Sequence, residues 1–508
     1  MFSTYCEGGD HPNFDATVPI SDSVQLKIDY WKKQAAAGKE TKKVQPISVL
    51  YIGIDSTSRS HFYRSFKKTS KLLRQLGFWD FEAHHATAAY TIRNMFAMLA
   101  GYSMADMTRA MRGWRKRYYD DVDWIWKLFE AMNYVTFNLQ DRQTFNIDAG
   151  SEGFKRQPTD YYLRPMMAHM ESYWKKLGTT SQSKLFDDCL SPQMSSGKFI
   201  LNYNRKFMDR IGKKAPFFAF SFLGFPFHDF QLSHQNFDDE VYNFFNWLNH
   251  SELLRKTMVI FGADHGDRLE FFGTEHIEGF VERSLPFLFV HFPQSLLNHK
   301  PEYRAALKHN TKVLTTHFDV FHTMLHVLAL TDQELISKFP TSVNKRSSLL
   351  RPITEPRGCS ELKIEKGMCA CDVGLSPHSV KDKHFVHRLY VFAVTQLNTI
   401  IRNSSYAELC GDWAILAKPE VEAHQIQERE NSTNGSTLEY LLFFATVPLA
   451  RFQVRIHVNV EADDGNKFVS LQLGGEFERK GSYGNSSSCL IPKTFSDRKF
   501  KELCYCKT

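Results

Sequence analysis

The chain has 508 residues, 43% hydrophobic and 14% aromatic, which is enough apolar surface for one large core or two smaller ones and excludes a disordered chain. Its net charge of +7 is small for this length, and no dense Lys/Arg stripe with interleaved aromatics runs through it, so a nucleic-acid partner is not expected. No apolar stretch of about 18 residues offers a membrane helix.

Residues 1–45 read as a polar, irregular segment that closes on the linker-like KKQAAAGKETKKVQP. The apolar run VLYIGI, Val49 to Ile54, predicts a buried strand that stops on Asp55. KTSKLLRQLG predicts a helix ending at Gly77, and IRNMFAMLAG a second with Gly101 as its C-cap. DVDWIWKLFEAM and YVTFNL follow as helix and strand, FFAFSFL as a strand and DDEVYNFFNWL as a helix. TMVIFGA and LPFLFVHFP predict strands, and HFDVFHTMLHVLAL a helix. Short continuous apolar strands alternating with helices describe an α/β fold whose mostly parallel sheet is covered on both faces. Beyond residue 355 the runs LEYLLFFATV, FQVRIHVNVEA and KFVSLQLGGEFE are β-like and broken by Gly, Asn and Asp. The expected organisation is an irregular segment 1–45, an α/β domain 46–355 and a smaller β-rich, cysteine-containing domain 356–508.

Of the nine cysteines, Cys6 and Cys189 lie early and the other seven fall from Cys359 onward. Glycosylation acceptors, Asn403, Asn431 and Asn485 among them, lie in that same region, and another is at Asn249. Crowded cysteines beside such acceptors predict a disulfide-bonded tail in an extracellular or secretory-pathway compartment. Cys369-x-Cys371 and Cys504-x-Cys506 lack the spacing of a zinc knuckle, which favours disulfides over metal. The start of the chain has no apolar signal core, so a signal or anchor is expected upstream of it, and an anchor would place the protein near a membrane.

Ligands of open α/β sheets bind beyond the carboxyl ends of the strands. VLYIGI ends in Asp55 and MVIFGA in Asp264-His265-Gly266. Either aspartate alone reads more readily as a turn former or helix cap. Two acids on one sheet edge, with an adjoining histidine, point to a metal site. Thr91, just ahead of an apolar-periodic helix, reads either as an N-cap or as a hydroxyl held where a helix N-terminus stabilises an anion.

The blocks IGIDSTSR, YTIRNMFAMLAGY, GFKRQPTDYYLRP, DHGDRLEFFGTEHIEGFVERSLPFLFV and LTTHFDVFHTMLHVL, in this order, resemble the alkaline phosphatase-like superfamily of sulfatases and nucleotide pyrophosphatases. More narrowly, together with GCSELKIEKGMCACD and the cysteines of the tail, they resemble the family called domain of unknown function 229. The resemblance implies a three-layer α/β/α core and a metal-dependent hydrolase or transferase of phosphoesters. It implies Asp55, Thr91, Asp264 and His265 as metal ligands, Thr91 as nucleophile, and Asn94 and His228 as contacts to an anionic small molecule, lipid or glycan. His276 departs from the family, which carries Thr near the glycine matching Gly279, and reads either as a contact to substrate or a second metal or as a surface loop residue. His228 is followed by Asp229, and both match the family's His-Asp pair.

Carboxylates with an imidazole favour zinc or manganese over calcium, which prefers all-oxygen cages. TIRN replaces the Cys/Ser-x-Pro-x-Arg setting that a sulfatase needs, which argues against that activity. Asp55 is followed by Ser56 where many relatives carry a second aspartate, so the number of metal ions stays open. The alternative expectation is a catalytically inactive member that binds anionic glycans, lipids or a protein partner.

Overall fold

A computed structural model of the chain describes residues 2–4, 13–37, 45–110, 118–141, 153–169, 189–191, 194–228, 233–267, 277–331, 342–343, 345–365, 368–373, 378–430, 435–463, 466–480, 486–490 and 500–507. They fall into two compact units. The first takes 1–112, 116–267 and 285–363, and the second 113–115, 268–284 and 364–508.

In the first unit, β1 (Ser48–Ile54), β2 (Trp79–Asp80), β3 (Val135–Gln140), β4 (Tyr161–Tyr162), β5 (Phe217–Leu223), β6 (Thr257–Ala263) and β7 (Leu288–His291) form one sheet. Among the described residues it has seven strands in the order β2–β7–β6–β1–β5–β3–β4. The strands from β6 to β4 run parallel, and β7 is antiparallel to both its neighbours. Every residue of β1, β5 and β6 is buried, as the unbroken apolar runs require of central parallel strands.

Helices cover both faces. On one side α2 (Arg59–Ser65), α3 (Lys67–Gln75), α6 (Ser196–Phe207) and α7 (Asp238–His250) pack together, and on the other α4 (Thr91–Ala100), α5 (Ile125–Ala131) and α8 (His317–Ala329). Alternation along β5 displays both contacts: the Phe217 ring lies 5.5 Å from Phe207 of α6, and Phe218 lies 4.7 Å from Phe129 of α5. The result is the three-layer α/β/α core with a mostly parallel sheet that the sequence pattern predicts. Gly101 caps α4 with φ 68° in the left-handed region, as read from the sequence.

The N-terminal segment, expected to be irregular, differs: it contains the 16-residue helix α1 (Asp22–Ala37). Val24 and Ile28, four residues apart, are buried in the sheet's core and Trp31 packs against it. The Lys- and Ala-rich stretch taken for a linker is partly the exposed face of this helix, because those residues are good helix formers.

In the second unit, β8 (Val421–Glu430), β9 (Gly435–Val447), β10 (Ala450–Asp463) and β11 (Asn466–Leu473) form antiparallel neighbours, and β12 (Glu478–Lys480) pairs with β10. α9 (Lys383–Arg402) lays Leu389, Tyr390 and Ala393 into a core with Phe444, Phe452 and Val454 of the sheet. Cys410–Cys504 and Cys489–Cys506 are disulfides, with Cα separations of 5.3 and 5.7 Å, and Cys359 and Cys369 are also disulfide-bonded. The tail is the stapled β-rich unit expected from its cysteines.

The same unit holds a buried charge cluster. Arg283, on the helix Ile277–Ser284, donates to Glu478, whose other oxygen lies 3.2 Å from Lys480 Nζ. Burial alone would raise the Glu478 carboxyl, but the two cations hold it below the usual carboxylate range. Glu478→Ala removes the anion between two buried cations and is expected to cost about 3–5 kcal/mol. Urea denaturation followed by fluorescence checks this, and an unchanged midpoint contradicts it.

Candidate active site

β1 and β6 are adjacent and parallel, with Ile54 opposite Ala263, so the next residue of each, Asp55 and Asp264, leaves the same sheet edge at the same level. His265 follows. Carboxylate oxygens of Asp55 and Asp264 and a ring nitrogen of His265 all lie within 4.8 Å of one another, and the three side chains are fully buried. His265 Nε2 is 3.2 Å from Asp264 Oδ2 and 3.9 Å from Asp55 Oδ1.

Thr91 reaches this cluster from α4. The cap of α4 is Tyr90, with extended backbone, so Thr91 is the first helical residue rather than the N-cap. Its Oγ1 lies 3.3 Å from His265 Nε2. Asn94, one turn on, fixes the preceding loop: its Oδ1 accepts from Thr87 N, Thr87 Oγ1 and Ala88 N, and its Nδ2 donates to the Ala88 carbonyl. Both ends of the amide are thus engaged by protein in this structure.

His265 Nδ1 lies 2.7 Å from the Gly266 carbonyl, which only accepts, so Nδ1 carries a proton and Nε2 is the nitrogen turned toward the two carboxylates and the hydroxyl. Asp264 Oδ2 is buried and makes no hydrogen bond among the described residues. Such a concentration of lone pairs and negative charge, shut off from water, matches the donor set of a divalent cation: two carboxylates, an imidazole and a hydroxyl. Asp55, Thr91, Asp264 and His265 are the residues that would hold it.

His228 is buried at the end of the short helix Phe225–His228, which starts two residues after β5. Because Leu223 is opposite Ile54, this helix leaves the same edge of the sheet as Asp55. Asp229 and His276 lie outside the described residues.

Several supporting residues carry no mark in the sequence. Ser56 donates from its N to Asp264 Oδ1 at 3.2 Å and from its Oγ to Asp55 Oδ1 at 2.9 Å. Thr57 Oγ1 donates to the Asp55 carbonyl, so it accepts from His234 Nε2 at 2.8 Å. His317, at the start of α8, donates from Nε2 to the Asp264 carbonyl at 2.7 Å. Asp141, which follows β3, accepts from Gly224 N at 2.8 Å and so holds the turn that leads to His228. Asp141 is a third acid at a strand end and was open to the same reading as Asp55 and Asp264, whereas His234 and His317 come close only through the fold.

The buried histidines give this unit a pH signature. Burial pushes His85, His291, His317 and His326 down from the ordinary 6.5 to about 4, and His84 well below 6.5. The folded state keeps these rings neutral, while the unfolded chain protonates them as the pH falls. The stability they confer is therefore complete above pH 6.5 and is lost progressively toward pH 4. Urea midpoints of chelator-treated protein are expected to drop across that window, and a flat profile contradicts the assignment.

The sequence profile of the family described as protein of unknown function (DUF229) matches residues 1–416. The chain belongs to the DUF229 family. No curated protein matches this DUF229 chain. Solved structures similar to it include the phosphonate monoester hydrolase of Agrobacterium radiobacter, 13% identical over 56% of this chain and 74% of that one, TM-score 0.39. A protein in the alkaline phosphatase superfamily from Vibrio parahaemolyticus is 11% identical over 95% of this chain and 97% of that one, TM-score 0.37. The lipoteichoic acid synthase LtaP from Listeria monocytogenes is 11% identical over 56% and 72%, TM-score 0.36. At these identities and scores none of them transfers an activity to the DUF229 chain.

Proposed function

We propose that the chain is a divalent-cation-dependent hydrolase or transferase of phosphoesters that works through Thr91. The convergence of Asp55, Thr91, Asp264 and His265 carries this reading, because it sets one hydroxyl at a helix N-terminus against a buried cation-type donor set. A bound zinc or manganese ion supplies acidity to the hydroxyl and offsets charge on the phosphoryl oxygens.

The chain's own residues do the rest. Asn94 holds the loop 87–90 so that Thr91 enters α4 in one orientation. The free N–H groups and dipole of the α4 N-terminus favour an anionic group at Thr91. Thr91 Oγ1 attacks phosphorus and loses its proton to solvent. As the new O–P bond forms, the leaving oxygen departs with its bonding electrons and is protonated by water. Water then attacks the phosphothreonine, releasing phosphate and restoring Thr91; a second hydroxyl in place of water makes the reaction a transfer. His228, beyond the same sheet edge, is placed in the reading as a substrate contact.

The substrate class is an anionic small molecule, lipid or glycan carrying a phosphoester. An extracellular or lumenal location is supported by the disulfides Cys410–Cys504 and Cys489–Cys506, which form in oxidising compartments. Among the described residues no helix is long and apolar enough to cross a membrane.

The test is a panel of phosphomonoesters, phosphodiesters and sulfate esters offered to protein loaded with zinc or manganese. Turnover of a phosphoester that a chelator abolishes is expected. No phosphoester turnover with either ion, alongside retained anion binding, favours an inactive binding protein instead.

A further inference from the structure

We propose that Ser56 is a positioning residue that clamps the two carboxylates of the site and thereby sets its affinity for a cation. The inference rests on the cation reading of Asp55, Asp264 and His265. Three observations carry it. Ser56 is one of the non-glycine residues with positive φ, at 53°, a conformation that costs an L-residue of order 1 kcal/mol and persists where its surroundings hold it. It is 2% exposed, so its polar groups are directed inward. And its two donors go to different carboxylates: the N–H to Asp264 Oδ1 at 3.2 Å, the hydroxyl to Asp55 Oδ1 at 2.9 Å.

Both bonds are made at a left-handed turn. β1 and β6 end level with each other, so an extended residue after Asp55 would carry the chain onward along the strand. At φ 53° the chain beyond Ser56 turns off the strand line, with Oγ bonded to the acid before it and the N–H bonded to the acid on the neighbouring strand. With Oδ1 of Asp264 held in this way, its Oδ2 is left facing His265 Nε2. Donors behind metal-binding carboxylates fix their rotamers before the ion arrives, and loss of such a partner commonly lowers metal affinity by about 10–100-fold.

Ser56→Gly isolates the hydroxyl. Glycine adopts φ 53° without strain and keeps the N–H that bonds Asp264, so only the bond to Asp55 is lost. A merely structural serine predicts unchanged cation binding and equal or higher thermal stability. The clamp predicts unchanged or higher thermal stability together with manganese binding about tenfold or more weaker, read by calorimetric titration of chelator-treated protein. Equal manganese affinity in wild type and Ser56→Gly overturns the clamp and leaves the cation reading standing. A wild type that takes up neither manganese nor zinc overturns the cation reading and the clamp with it.

Discussion

Thr91→Ala is expected to lower turnover of any phosphoester the protein accepts by at least about a thousandfold, with the fold unchanged, because loss of a nucleophile removes the covalent route altogether. The structural cost is small. Thr91 is the first residue of α4, its side chain does not cap the helix, and alanine is the better helix former at that position. What is lost is the contact of Oγ1 with His265 Nε2. Thr91→Ser keeps the hydroxyl and should retain part of the activity. Steady-state kinetics of the three proteins, with circular dichroism melts beside them, make the comparison. A Thr91→Ala protein as active as wild type removes Thr91 from the mechanism.

Asp264→Asn is expected to abolish activity together with at least about a hundredfold in cation affinity. The amide has the shape of the carboxylate but no charge, and it ligates cations weakly. Its oxygen can still accept from Ser56 N, but the NH2 end then takes the place of Oδ2 beside His265 Nε2 and offers a hydrogen where a cation needs a lone pair. The overall fold should survive, since the backbone anchor of Asp264, its carbonyl's bond from His317, is untouched by the change. Elemental analysis after dialysis against manganese, paired with kinetics, gives both readouts. An Asp264→Asn protein that holds as much cation as wild type contradicts the assignment of this carboxylate.

How far these residues were legible in the sequence follows from the physics of each. Asp55 and Asp264 stood out because an apolar strand stopping on an acid is visible in one dimension, and parallel neighbours in register bring such ends together. The pairing itself, β1 between β5 and β6, is long-range and has no local signature; the rule that sites lie at strand ends pointed only to a common edge. The helix α1 was hidden because a Lys- and Ala-rich helix with a narrow apolar stripe looks like a linker. The membership of the helix Ile277–Ser284 in the second unit has no local signature either, since it depends on which surface Phe280 and Arg283 meet. Ser56 illustrates the limit most sharply. Nothing in IGIDSTSR announces a positive φ at a serine, and its role exists only once two strands are side by side. For Asn94 the sequence motif located the residue, while its neighbours in the structure are the loop it fastens.

The central claim is that Thr91 is phosphorylated during turnover. A single-turnover reaction of the metal-loaded protein with a radiolabelled phosphoester, stopped in acid and mapped by peptide mass spectrometry, tests it directly. The account predicts label on the peptide containing Thr91, absent from Thr91→Ala, formed and lost at rates compatible with turnover. Label on another residue, or product formed in one turnover with no labelled protein at any time, would contradict it.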